Sequence, residues 1–172
     1  MITDALCNFV PVGSPLAILG ANVRSAVYDI LGSGTGTAPA NIFGTATLFG
    51  EDTGIGGKKP QLEVLVTQAF VGGTSLQVSF QAAPDLGTPT YQPGTWTTLV
   101  QTPAILTASL TLGQVLARFD WPPAFPAGLN PRFLSLLFVP VGTFTAGLVL
   151  APVTMVRDDQ ANKFAAKNFT VA

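Results

Sequence analysis

Residues 62–82 read LEVLVTQAFVGGTSLQVSFQA. In the second half Leu76, Val78 and Phe80 alternate with Gln77, Ser79 and Gln81, the period of a strand with one buried face. The first half alternates more loosely. Leu62, Val64 and Val66 fall on one face and Glu63, Leu65 and Thr67 on the other, so a strand covered on both sides is expected. Between the halves, Val71-Gly72-Gly73-Thr74-Ser75 supplies turn chemistry, and the whole stretch reads as a β-hairpin.

Similar short runs continue in both directions. The 18 Gly and 14 Pro are spread along the chain, which chops it into pieces suited to strands rather than helices. Further strands are expected at Leu16–Leu19, Val27–Leu31, Thr45–Phe49, Trp96–Val100, Val115–Asp120, Phe133–Val139 and Gly147–Val156. About eight strands with turn signals between them indicate a sandwich, a barrel or a jelly roll. Ala83–Gly94 reads as a long loop, and Gly32–Gly57 as an irregular region of the kind that often binds. Nothing marks a second domain, so residues 1–156 form one β domain. From Arg157 to Lys167 charges return without Gly or Pro, and residues 157–172 read as a short helix or an extended terminal arm.

Composition narrows the function. Charged residues are 10% of the chain, against a usual share of about 25%, and 48% is hydrophobic. The 8 Lys+Arg nearly cancel the 9 Asp+Glu, leaving no basic surplus for a nucleic acid backbone. The apolar run Phe133–Val156 has the length of a membrane span, but Pro140, Gly142, Gly147 and Pro152 punctuate it, and Pro140-Val141-Gly142-Thr143 reads as a turn. The first basic residue is Arg24, so no signal-peptide n-region is visible, and synthesis in the cytoplasm is expected.

Catalytic chemistry finds little to work with. Histidine is absent, and Cys7 is the lone cysteine, best read as a small buried hydrophobe. Gly32-Ser33-Gly34-Thr35-Gly36 lacks the helix that a dinucleotide fingerprint requires, and Gly56-Gly57-Lys58-Lys59 lacks the first glycine and the hydroxyl of a P-loop. No serine sits in a nucleophile elbow. The adjacent pairs Glu51-Asp52 and Asp158-Asp159 do not have the spacing of a metal loop. No catalytic residue, cofactor or metal is therefore expected.

The aromatic residues say more. Trp96 reads as a core tryptophan at the start of a strand. In Arg118-Phe119-Asp120-Trp121-Pro122-Pro123-Ala124-Phe125-Pro126, Arg118 and Asp120 share a strand face, in position to pair. The prolines then stiffen a segment carrying Trp121 and Phe125, which is either a loop tucked onto the domain edge or a pair of anchors for a protein interface. Phe164 and Phe169 on the terminal arm suit docking in the same way.

Several stretches, in order, resemble the capsid cement (decoration) proteins of short-tailed bacteriophages. They are Met1–Leu6 with Asn8–Pro11, Tyr91–Trp96, Ala117–Pro123, and Met155–Lys163 with the run to Ala172. The resemblance implies an all-β jelly-roll sandwich on the outer surface of an icosahedral head. It implies the major capsid protein as partner and self-association as a homodimer, with no catalytic residues; the charge balance and the Gly and Pro punctuation above argue against nucleic acid and membrane as partners. Trp121, Phe125, Phe164 and Phe169 are candidate contacts on their chemistry alone. The rival expectations are another phage structural part (tail, fibre or head completion) and a carbohydrate-binding β-sandwich with exposed aromatics.

Overall fold

The computed structural model describes residues 2–11, 13–30, 61–86, 92–121 and 124–155. These fold into two antiparallel sheets packed face to face. The first contains β1 (Ile2–Val10), β2 (Leu16–Ala17), β5 (Gln61–Gly72), β9 (Val115–Asp120) and β11 (Phe144–Met155). The second contains β3 (Val23–Arg24), β4 (Tyr28–Asp29), β6 (Ser75–Pro84), β7 (Thr97–Gln101), β8 (Ile105–Leu106) and β10 (Pro131–Val141). A 3-10 turn at Thr107–Ser109 follows β8. Among the described residues no helix is long and apolar enough to cross a membrane.

In the first sheet the order is β1, β11, β5, β9, with β2 lying beside β1 along the same edge of β11. In the second it is β3, β10, β6, β7, with β4 also on β10 and β8 also on β6. The strands expected at 62–70 and 76–82 both form, but they do not pair with each other. β5 pairs with β11 and β9, whereas β6 pairs with β10, β7 and β8. The predicted hairpin is therefore an arch that crosses from one sheet to the other. Its two arms face each other through the core, with Leu62, Val64 and Val66 on one side and Leu76, Val78 and Phe80 on the other, all at or near complete burial.

The turn expected at Pro140–Thr143 makes a second arch, from β10 into β11, and it lies directly on the first. Thr74 N donates to Val141 O at 2.7 Å. Gly73 and Gly142 have φ of 58° and 79°, in the left-handed region that glycine tolerates. Their backbones pack so closely that a Cβ on Gly142 would lie 3.2 Å from the Gly73 Cα. Behind the arches the Phe70 and Phe144 rings meet edge to face at 5.0 Å.

Other expectations shift at the margins. The long loop at Ala83–Gly94 is shorter than expected, because β6 runs to Pro84 and Asp85 bridges Pro93. β1 occupies a stretch with no strand expectation, since Asp4 and Asn8 break its apolar period. Leu16–Leu19 and Val27–Leu31 contribute only two-residue strands. The expected strand Thr45–Phe49, the Gly32–Gly57 region, the Lys58-Lys59 pair and the arm at 157–172 lie outside the described residues.

Candidate functional site

Among the described residues no group of three or more His, Cys, Asp or Glu side chains lies close enough to hold a metal ion. The carboxylate pairs Glu51-Asp52 and Asp158-Asp159 lie outside the described residues. Several of the described charges serve cross-strand or buried contacts. Arg118 Nε donates to Glu63 Oε1 at 2.8 Å, directly opposite it in the β5–β9 register. The expected partner on its own strand, Asp120, is replaced by this neighbour because opposed residues stand closer than residues two apart along one strand.

The strongest electrostatic feature is Arg132 on β10. Its Nε and Nη2 donate to the two carboxylate oxygens of Asp29 at 3.0 and 2.9 Å, and its Nη1 donates to Asp85 Oδ2 at 2.6 Å. The guanidinium also lies over the Phe133 ring. The Asp29 hydrogen bonds raise its pKa above the ordinary arginine value; burial opposes this, and the bond to Asp85 adds to it. This buried clasp ties β4, the end of β6 and β10 together. Sequence reading missed it because its members are far apart in the chain.

Arg24 is arranged differently. Its guanidinium sits 4.1 Å from the centre of the Trp96 ring, and Nη2 donates to Gln81 Oε1 at 2.8 Å. Burial lowers its pKa from the ordinary value. Trp96 is thus half-buried on the outer face of the second sheet rather than in the core, and β7 begins one residue later. With Arg24 over its ring, Trp96 does not offer the bare aromatic platform that a glycan-binding module needs.

The four candidate contact residues separate. Trp121 is 2% exposed and packs edge to face on Tyr28 at 4.9 Å and Phe9 at 5.7 Å, and parallel to Phe80 at 6.4 Å. It belongs to the core, so its reading as a partner anchor is corrected: the chain folds the indole inward before the prolines. Phe125 is 38% exposed, on the loop that Trp121 tethers. Phe164 and Phe169 lie outside the described residues.

Two surfaces remain that sequence did not reveal. One is an open groove of about 340 Å³ between the edge strands of the two sheets. Leu99 and Val100 of β7 line one wall, Arg118, Phe119 and Asp120 of β9 the other, and Ala124 lies beside them. Phe125 is the next residue in the chain after Ala124. The other is the end of the sandwich near the two arches, where Leu19, Val71, Leu106 and Val141 are between 48% and 61% exposed. Grouping by strand end, rather than any local motif, brings them together.

The described residues form an all-β sandwich of two antiparallel sheets. No protein-family model and no curated protein sequence matches the chain.

Proposed function

We propose that this chain is a capsid cement protein of a short-tailed bacteriophage. It binds the outside of the head and bridges major capsid protein subunits, and it also associates with itself as a homodimer. The observation that carries the reading is the strand order. With β1 and β2, β3 and β4, and β7 and β8 each counted as one row, the chain makes two sheets of four rows. Rows one, eight, three and six form one sheet and rows two, seven, four and five the other. This order supports the jelly roll, a double-sheet fold of eight strands, that the sequence resemblance implies. The low charge and the exposed aliphatic and aromatic groups agree with a protein whose work is assembly rather than chemistry.

The mechanism is additive. Each copy contributes a modest contact energy to the assembled shell, and a ligand that binds only the assembled state stabilises that state by mass action. Heads carrying the protein are expected to withstand higher temperature and internal DNA pressure than heads stripped of it. Equal rupture thresholds for the two would overturn the proposal.

A further inference from the structure

Arg24, Arg118 and Arg132 are the described basic side chains, and their partners differ. Arg118 is paired with Glu63, and Arg132 with Asp29 and Asp85. Among the described residues Arg24 has no carboxylate partner. Its Nη2 donates to the neutral amide oxygen of Gln81 at 2.8 Å, and its Nη1 is buried with no hydrogen-bond partner. Burial lowers the Arg24 pKa, and no neighbouring charge opposes that. A cation partly withdrawn from water without an opposite charge is an unfavourable arrangement.

The side chain is nonetheless held in place. The guanidinium lies over the Trp96 ring, 4.1 Å from its centre. Gln81 is itself oriented, because its Nε2 donates to Thr98 Oγ1 at 3.0 Å, which turns Oε1 toward Arg24. Arg24 stands on the outer face of the second sheet, in one row with Leu137, Ser79 and Gln101. Gln77, Ser79, Gln81, Thr98 and Gln101 on that face can hydrogen-bond but carry no charge. Asp29, opposite Phe133 on the same face, is roughly 13 Å away along β10 at about 3.3 Å per residue, and Arg132 already holds it.

We infer that Arg24, held over Trp96 on the outer face of the second sheet, is the point at which this chain receives a carboxylate side chain, an Asp or Glu, from a capsid subunit. The inference rests on the cement reading above and names the chemistry of one contact. Charge selects the occupant. A guanidinium fork matches a carboxylate, and arginine and tryptophan are the residues that most often carry interface energy. The place where an internal counter-ion would stand is taken by Gln81, whose shape a glutamate would share. The fold therefore leaves this charge to be completed from outside. A nucleic acid or an anionic lipid surface needs a cluster of cations, and on this face Arg24 stands in uncharged surroundings in a chain of net charge -1.

Two measurements on the full chain test it. In the first, glutarate stands in for a glutamate side chain, and the indole N–H signals of Trp96 and Trp121 are followed in a nitrogen–proton correlation spectrum. The Trp96 signal is expected to move saturably, and that of the core residue Trp121 to stay. The movement is expected to vanish in Arg24→Gln and in Gln81→Glu, where an internal carboxylate fills the site. Gln81→Glu is also expected to melt no lower than the wild type, which separates a filled site from a damaged fold. No saturable movement in the wild type overturns the inference, as does undiminished movement in either folded variant. The second measurement is co-sedimentation with phage heads. Arg24→Gln is expected to bind at least about 30-fold more weakly than the wild type, as when one partner of an interfacial charge pair is removed. Equal binding of the two overturns this contact and leaves the cement reading standing. A wild type that takes glutarate but ignores heads sinks the cement reading and leaves the carboxylate site.

Discussion

Gly142 rests on Gly73, with 3.2 Å between the Gly73 Cα and the position a Gly142 side-chain carbon would take. This contact is where the β5–β6 and β10–β11 crossings between the sheets meet. It lets β5 pair with β11 and β6 with β10, so that one stacked turn sets the register of four strands.

Gly142→Ala therefore strains the backbone and pushes on the neighbouring arch at once. A left-handed conformation alone costs an alanine roughly 1–2 kcal/mol. Urea unfolding should show at least that loss, whereas Gly13→Ala, in open space, should be close to neutral. Equal stability of the two variants would contradict the stacked-arch description.

Arg132 and Arg118 supply a comparison of two ion pairs. The Arg118 side chain is 59% exposed, so Arg118→Lys should change stability by no more than about 1 kcal/mol. The Arg132 side chain is 8% exposed, and lysine cannot reproduce its fork of bonds to Asp29 and Asp85. Arg132→Lys is expected to lower the melting temperature clearly more than Arg118→Lys. Equal melting temperatures would mean that the clasp adds nothing to the fold.

Trp121 and Phe125, four residues apart, should separate stability from binding. Trp121→Ala removes a core ring and is expected to cost about 3–5 kcal/mol. Phe125→Ala, on the surface, should stay within roughly 0.5 kcal/mol of wild type in denaturant unfolding. On the proposed function, Phe125→Ala also weakens attachment to heads, measured by co-sedimentation. Full attachment would remove Phe125 from the interface.

Removal of residues 157–172 should weaken head attachment while the truncated chain still unfolds in one cooperative transition. Loss of that transition would show instead that the arm is part of the folded core.

How much of this was legible in sequence depends on the range of the interaction. Strand positions such as Val115–Asp120 could be read because alternation is local, and the structure places β9 over those same residues. Strand pairing could not. Leu62–Val66 and Leu76–Phe80 carry the same period of two whether they pair side by side or face each other through a core, so the arch looked like a hairpin. Trp96 and Trp121 both border strands and prolines, yet one covers a sheet face and the other fills the core. Only the path of the chain beyond each strand separates them. Arg132 finds Asp29 at a separation of 103 residues and Asp85 at 47, and no spacing rule reaches so far. The apolar arch end is likewise assembled from the ends of several strands.

The most direct test of the proposed cement function is a count of this chain per purified phage particle, set against the major capsid protein by quantitative mass spectrometry. A cement protein is expected in copy numbers comparable to those of the major capsid protein, and on the outer surface of the head. A handful of copies, or none, would contradict it.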